Sequence, residues 1–278
     1  MNNSIKSNSI ASSYSSALKV LLYNGIDFKD ERGDEMSAIF NFTATIKNPI
    51  KDLEELDKLH EKGIIKYNRK FLDDYANQLV YGTMKPELIE KEYALPYLGG
   101  FIGQILNYFD LNKRIIKVND VEKLTELDLG FVYTYFERLR KRWSRLAKVS
   151  FQSFENTTLV DSEKMDQIEE VIQLLIMNPN TRRAVCTAWI PSVDLRKSEV
   201  PCMNWLVFWP LDGTLNLSVG FRSHDAFAIL SNWYGLARLL EYVSLRSGLK
   251  MGSLTTISIN FHFNKLFSED IKRIVESR

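Results

Sequence analysis

Apolar residues recur with the period of a helix along several segments of the chain. The stripe in residues 11–23 ends at Asn24-Gly25, and the stripe in residues 231–247 ends at Gly248, a residue type that commonly closes a helix. Ser162 is a suitable cap for a further amphipathic segment. In chain order, the predicted helices cover residues 11–23, 52–63, 71–81, 162–177 and 231–247, with a short charged helix at the end.

Alternating, β-branched and aromatic residues predict strands at residues 38–46, 183–190 and 254–263, and residues 131–136 also look extended. The runs MNWLVFWP and TLNLSVGF are strand-like, and Asp212-Gly213 between them is a strong two-residue hairpin signal. There is no internal repeat and no linker rich in proline or serine. These patterns predict one α+β domain, built on a mixed or antiparallel sheet flanked by helices.

That domain is expected to cover residues 11–278, after a flexible lead-in at residues 1–10. Residues at about 86–126 look like an insertion. The lead-in is polar and has no apolar core of the kind found in secretory signals, and no run approaches the ~18 apolar residues of a membrane span. We therefore expect a cytoplasmic protein that does not bind a membrane.

Composition narrows the possible functions. The formal net charge is +1, which gives no reason to expect a nucleic-acid partner. Two cysteines, Cys186 and Cys202, do not make a disulfide framework and favour a reducing compartment. The three histidines lack the spacing of zinc ligands, so no metal site is expected.

The most informative chemistry is at Cys202. In the predicted hairpin, Val200-Pro201-Cys202 lies opposite Arg222 of the segment RSHD. A neighbouring cation lowers the pKa of a cysteine thiol from about 8.5 toward neutrality and raises the fraction of nucleophilic thiolate. A structural cysteine beside a structural arginine would give the same pattern, so the hairpin alone leaves both interpretations open.

More arginines accompany this thiol. Arg182-Arg183 lie at the start of a predicted strand before Cys202, and Arg32 lies in an early polar loop. Arginines gathered near a nucleophilic thiol suit an enzyme that holds a phosphate monoester while the thiolate attacks a neighbouring atom.

Taken in order, NTRRAVCTAW, VPCMNW, RSHDAF, NWYGLARLLEYV and SINFHF resemble the thymidylate synthase superfamily. ERGDEMSAIFNF and GFVYTYFERL resemble its archaeal branch in particular. The resemblance covers residues 180–263 well and residues 32–138 in part, while residues 86–126 match nothing. It implies a sheet-to-sheet homodimer and 5,10-methylenetetrahydrofolate as the one-carbon donor.

The same resemblance implies a role for individual residues. Cys202 would be the nucleophile that adds to C6 of a pyrimidine nucleotide, Tyr133 matches a tyrosine near that cysteine, and Asp225 would face the folate. The residues implied to bind substrate are Arg32, Arg222 and Ser223 for the 5′-phosphate, Arg182 and Arg183 for the same phosphate from the partner subunit, Asn232 for the base edge, and His262 for the sugar.

The superfamily's general acid/base carboxylate has no clear match here. Asp73, Asp74 and Glu137 are the candidates, and Asp74 is our expectation. The tryptophan that screens the methylene intermediate from water is not located either, so the step that ends the reaction is left open.

Two departures from the superfamily pattern bear on the substrate. Asn264 stands where a sugar-binding tyrosine is expected, and an amide reaches less far than a phenol, so a ribonucleotide becomes plausible beside a deoxyribonucleotide. A neutral local substitution is the alternative. The segment before Asn232 is about one residue short, so Ser231 or Trp233 could take its place at the base edge. An asparagine there argues mildly for uracil, or for a cytosine enzyme that uses other contacts.

The expected function is folate-dependent one-carbon transfer to C5 of a pyrimidine nucleoside 5′-monophosphate. Hydroxymethylation of CMP or dCMP is favoured, because the sugar-site tyrosine is missing. A thymidylate synthase that converts dUMP to dTMP is the first alternative, and a catalytically silent nucleotide-binding homologue is the second.

Overall fold

The computed structural model describes residues 3–81, 135–140, 142–148, 158–195 and 200–276. Tyr133 and the expected insertion at 86–126 lie outside these residues. The described strands are β1 (Ser4–Ser7), β2 (Ile26–Lys29), β3 (Glu35–Ile46), β4 (Arg142–Lys148), β5 (Thr158–Met165), β6 (Val185–Thr187), β7 (Met203–Leu211), β8 (Thr214–Phe221), β9 (His224–Asp225) and β10 (Lys250–Asn264). The described helices are α1 (Ile10–Asn24), α2 (Glu54–Glu61), α3 (Arg69–Tyr81), α4 (Tyr135–Arg140), α5 (Gln167–Met177), α6 (Pro191–Asp194), α7 (Ala228–Ser247) and α8 (Ser268–Glu276), and a 3₁₀ turn covers Lys265–Phe267.

One mixed sheet organises the fold. Its strands lie in the order β1, β3, β10, β8, β7 and β6, with β2 also beside β3 and β9 beside β10. The central strand β10 is antiparallel to β3 and parallel to β8. Strands β4 and β5 form a separate two-stranded sheet. The predicted α+β domain, with a mixed sheet flanked by helices, is confirmed.

The hairpin of β7 and β8 forms where the sequence predicts it. Asp212 and Gly213 connect the strands with φ angles of 48° and 73°, and two-residue turns of type I′ require positive φ at both positions. The pairing then continues to Met203, with one irregularity between Met203 and Trp205. An extra residue at such a place bends the strand and re-aims neighbouring side chains, here directly beside Cys202.

Helix α7 lies at the centre of the core on one face of the sheet. Trp233 is fully buried, and its indole N–H donates to Oγ1 of Thr256 on β10 at 2.9 Å. Helix α3 packs closely against α7 because Gly235 has no side chain. A Cβ atom there would lie only 2.9 Å from Cε1 of Tyr75. Gly248 ends α7 with a φ of 73°, which confirms the predicted stop.

Three local features differ from the prediction. Ser4–Ser7, expected in the flexible lead-in, forms β1 because it pairs in parallel with the end of β3. The helix expected from Ser162 starts at Gln167 with Asp166 as its cap, since the preceding residues pair with β4 as strand β5. Tyr135, expected in an extended segment, begins α4.

In the described part of the chain, no helix is both long enough and apolar enough to cross a membrane.

Candidate active site

Cys202 lies half-buried at the open end of the β7–β8 hairpin, one residue before β7. Its carbonyl oxygen accepts a hydrogen bond from the backbone N–H of Arg222 at 2.8 Å. The hairpin therefore places the two residues opposite each other, as the position of the turn predicts.

The side chain of Arg222 is anchored to the segment that leads into the cysteine. Its Nε donates to the carbonyl of Pro201 at 3.1 Å and its Nη2 to the carbonyl of Val200 at 2.9 Å. These bonds use two of the five N–H donors of a guanidinium, and the side chain is exposed. The cation is thus held beside the thiol segment with donors left for an anion.

Helix α4 supports the other side of this segment. The backbone N–H of Met203, next to the cysteine, donates to the hydroxyl oxygen of Tyr135 at 3.1 Å. Arg138, one helical turn later, makes a two-pronged buried ion pair with Asp194, with distances of 2.9 and 3.1 Å. A tyrosine therefore does contact the cysteine segment, although the expected Tyr133 lies outside the described residues.

A chain of four side chains leads from the cysteine into the core. The hydroxyl of Tyr75 donates to Oδ1 of Asn232 at 2.6 Å. Nδ2 of Asn232 lies 3.2 Å from Nε2 of His224, whose Nδ1 lies 2.9 Å from Oγ of Ser258. The expected base-edge residue is thus held by protein groups at both ends of its amide.

The two residues beside Asn232 do not compete for its position. Oγ of Ser231 donates to the backbone carbonyl of Ala228 at 2.9 Å, within the same helix. Trp233 is fully buried and bonded to the central strand. Of the three candidates for the base edge, only Asn232 bonds to Tyr75 and His224.

His224 is neutral in the folded protein. Its ring is 1% exposed and stacks on Phe221, with centroids 3.9 Å apart and planes within 10°. Burial lowers the pKa of His224 to about 3, and the neighbouring His262 adds to the effect. One ring nitrogen therefore carries the proton. Because the amide of Asn232 donates to Nε2, the proton is on Nδ1 and faces Ser258.

Tyr75 stays protonated for a related reason. Burial raises the pKa of its hydroxyl, and nearby Cys202 raises it further when its thiol is ionised. The second cause shows that the phenol lies within electrostatic reach of the cysteine. Tyr75 therefore lies near both Asn232, the expected base-edge residue, and Cys202, the expected nucleophile.

Asp225, His262 and Asn264 lie at the end of the sheet where β9 meets β10. Oδ1 of Asp225 accepts from the backbone N–H groups of Phe227 and Ala228 at 2.8 and 3.0 Å, which starts α7. His262 is the strand partner of Asp225. Asn264 caps the 3₁₀ turn, because its Oδ1 accepts a hydrogen bond from the backbone N–H of Leu266. All three side chains are half-buried.

The expected phosphate-binding arginines are spread over the chain. Arg32 is exposed in the turn between β2 and β3, and Arg182 and Arg183 are exposed just before β6. Ala184, next to them, pairs with Phe208 near the far end of β7. Six residues of strand separate that level from Cys202, which is about 20 Å. Within one chain, Arg182 and Arg183 therefore lie far from the thiol, whereas Arg222 and Ser223 lie beside it.

The two carboxylates of helix α3 have different surroundings. Asp73 accepts a hydrogen bond from the hydroxyl of Tyr234 and lies 3.8 Å from Nη2 of Arg238. Oδ2 of Asp74 is buried without a hydrogen-bond partner among the described residues. Tyr75, about 100° further round the helix, is the residue that reaches Asn232. The family pattern points to a carboxylate on this helix and not to a tyrosine, although small Gly235 opposite α3 is a usable signal for Tyr75.

In the part of the chain that the structure describes, no three His, Cys, Asp or Glu side chains cluster in a way that could hold a metal ion.

Comparison with known proteins gives a consistent set of similarities. The family model described as Thymidylate synthase matches residues 53–277. A protein of Methanococcoides burtonii is 29% identical over 273 residues, which cover 98% of this chain and 94% of that protein. A protein of Methanosarcina acetivorans is 30% identical over 259 residues, which cover 93% and 88% of the two chains. Both carry the name "Putative thymidylate synthase".

Proposed function

The chain belongs to the thymidylate synthase family of one-carbon transferases, and we propose that it acts on C5 of a pyrimidine nucleoside 5′-monophosphate. The proposed donor is 5,10-methylenetetrahydrofolate, and the proposed intermediate is a covalent bond between Cys202 and C6 of the base. The single observation that carries this proposal is the position of Cys202 at the hairpin end, directly after the two residues whose carbonyls hold the guanidinium of Arg222.

The chemistry requires a nucleophile at this position. Pyrimidine C5 is a poor nucleophile until the Cys202 thiolate adds at C6, which forms the S–C6 bond and moves the displaced electron pair toward C5. C5 then bonds to the one-carbon unit. Loss of the C5 proton and departure of the folate leave an exocyclic methylene. Hydride from tetrahydrofolate would convert it to a methyl group with release of dihydrofolate, whereas water would convert it to a hydroxymethyl group with release of tetrahydrofolate. The S–C6 bond then breaks.

Arg222 has two tasks in this proposal. Its positive charge favours the thiolate form of Cys202, and its remaining N–H donors bind the 5′-phosphate together with Ser223. The backbone carbonyls that hold the guanidinium keep its orientation fixed before substrate arrives. Arg32 is proposed to close over the same phosphate from its exposed turn.

The surroundings of Asp225 suit a folate. Phe227 and Phe267 lie edge to face with centroids 5.5 Å apart, and Phe267 is 41% exposed. Nζ of Lys66 lies 5.6 and 5.8 Å from the two ring centroids. Aromatic surface, a cation and the carboxylate of Asp225 together match a ligand with aromatic rings and an acidic tail.

The positions of Arg182 and Arg183 support the proposal of a homodimer. Because they lie about 20 Å from Cys202 along β7, they can join its phosphate site only from a second copy of the chain. The sheet face opposite α7 offers a surface for that copy. Val185, Trp209 and Leu211 point outward there and are 37–58% exposed, although they are apolar.

Hydroxymethylation of CMP or dCMP is the reaction we favour within this family chemistry. Asn264 uses its side-chain oxygen to cap a turn, so it offers the sugar less than a tyrosine would and leaves room for a ribose 2′-hydroxyl. The names of the two relatives, and the amide at Asn232, favour conversion of dUMP to dTMP as the second candidate.

One assay separates these reactions. The protein is incubated with 5,10-methylenetetrahydrofolate and each of CMP, dCMP, UMP and dUMP, and product mass and dihydrofolate absorbance are recorded. A hydroxymethyl product of CMP or dCMP without dihydrofolate supports the favoured reaction. A methyl product of dUMP with dihydrofolate identifies a thymidylate synthase. Nucleotide binding without turnover of any substrate points to a silent homologue and refutes both reactions.

The shared site has its own test. Arg182→Ala and Cys202→Ala are each expected to be inactive, whereas a mixture of the two should regain activity, because a mixed dimer contains one intact site. A mixture as inactive as its parents would contradict a site built from two subunits.

A further inference from the structure

We propose that Tyr75 and His224 are positioning residues that hold the side-chain amide of Asn232 in one orientation, and that this orientation determines whether the site accepts uracil or cytosine. The inference rests on the proposed function, since it concerns the base edge of the same site. It adds two residues outside the set expected from the sequence.

The orientation of an asparagine amide matters because the two bases present opposite patterns. Uracil offers the acceptor O4 beside the donor N3–H, whereas cytosine offers the donor N4–H beside the acceptor N3. An amide that turns by half a rotation about its terminal bond exchanges its own donor and acceptor. A freely turning Asn232 would therefore accept both bases, and a fixed one accepts a single pattern.

His224 fixes the nitrogen end of the amide. Its ring is enclosed by Phe221 and bonded to buried Ser258 on the central strand, so it has little freedom to move. In this arrangement Nδ1–H donates to Oγ of Ser258, and the lone pair of Nε2 accepts from the amide nitrogen of Asn232. If the amide turned, its oxygen would face that lone pair and the two would repel each other. The turned amide would be accommodated only if the histidine proton moved from Nδ1 to Nε2 and the hydroxyl of Ser258 rotated to donate to Nδ1.

Tyr75 fixes the oxygen end of the amide. Its protonated hydroxyl donates to Oδ1 at 2.6 Å, and this short hydrogen bond favours the oxygen on that side. The ring itself is located by close packing on α7, because the absent side chain of Gly235 leaves a space that the ring edge fills. The two contacts favour the same orientation, so the loss of either one weakens the preference of the amide for that orientation.

The test compares Tyr75→Phe and His224→Phe with Tyr81→Phe, a control on the same helix whose ring is 55% exposed. Binding of UMP, CMP, dUMP and dCMP is measured by calorimetry for each folded variant. The wild-type protein is expected to prefer one base. Each site variant should lose about tenfold or more of that preference, the factor that one unsatisfied buried hydrogen bond produces. Tyr81→Phe should keep it.

Three results would overturn the inference. In the first, the wild-type protein binds uracil and cytosine nucleotides equally. In the second, the site variants keep the base preference of the wild-type protein. In the third, the site variants bind all four nucleotides more weakly by the same factor. In each of them nucleotide still binds, so the proposed function survives. A wild-type protein that binds no nucleotide overturns both.

A second measurement does not depend on variants that fold. Nitrogen NMR of labelled histidines should show His224 in the Nδ1–H form, with no titration between pH 5 and 8, which spans the ordinary histidine pKa of about 6.5. Addition of the preferred nucleotide should leave that form unchanged. An Nε2–H form in the free protein would contradict the proposed orientation of Asn232.

Discussion

Asp194→Ala is expected to lower the free energy of unfolding by about 3–5 kcal/mol, because it removes one partner of a buried ion pair. Arg138 donates to both carboxylate oxygens of Asp194, and the two side chains are 9% and 0% exposed. The same carboxylate accepts from the backbone N–H of Ile190 at 2.6 Å. Alanine therefore leaves a buried guanidinium without its carboxylate and a backbone donor without its acceptor, and both losses have the same sign.

Urea unfolding of the wild-type protein and the variant measures this difference directly. Asp270→Ala is the matched control, since it breaks an ion pair of 3.2 Å with Arg273 in which the partners are 37% and 64% exposed. The control should cost less than about 1 kcal/mol. An Asp194→Ala variant no less stable than the control would refute the claim that the pair's burial makes it important.

The ion pair also affects the segment that carries Cys202, the proposed nucleophile. Arg138 and Tyr135 share helix α4, and Tyr135 accepts the hydrogen bond from the backbone N–H next to Cys202. Loss of the ion pair should therefore loosen the segment that carries the thiol. In the folded Asp194→Ala variant we expect faster amide exchange at Met203.

Other predictions concern pH, backbone conformation and capping. Between pH 6.5 and about 3, His224 binds a proton in the unfolded protein but not in the folded one. The free energy of unfolding should therefore fall as the pH decreases, by up to about 1.4 kcal/mol per pH unit more in the wild-type protein than in His224→Gln. Parallel slopes would contradict a neutral buried ring. Gly248→Ala should lower stability by about 1 kcal/mol in thermal unfolding, because its φ is 73°. Asp225→Ala should cost a similar amount, because the backbone N–H groups of Phe227 and Ala228 at the start of α7 lose their acceptor, and an unchanged melting temperature would exclude that role.

Local sequence patterns were enough to predict the part of the site that lies on the β7–β8 hairpin. Asp212-Gly213 fixes the turn, and strand alternation then sets Arg222 opposite Cys202. The same kind of information located α7 and its stop at Gly248. These features depend on residues that are close in the chain, so their physical causes can be read from short segments.

The remaining features depend on contacts between distant segments. Tyr75 and Asn232 are 157 positions apart, and no local pattern indicates that they share a hydrogen bond. Ser162 and Asp166 are equally suitable caps, and the pairing of β5 with β4 decides between them. Ser4–Ser7 is polar and becomes a strand only because the edge of β3 is available.

The central claim is that Cys202 forms a transient bond to C6 of the pyrimidine. A nucleotide with fluorine at C5 tests this claim. The normal reaction loses a proton from C5, but fluorine cannot leave as a cation, so the covalent adduct accumulates. Mass spectrometry of the digested protein, incubated with the fluorinated nucleotide and methylenetetrahydrofolate, should find nucleotide and folate on the peptide that contains Cys202. Cys186 is an internal control, since burial raises the pKa of its thiol to about 12. An unmodified Cys202 peptide, or an adduct on Cys186, would contradict the account.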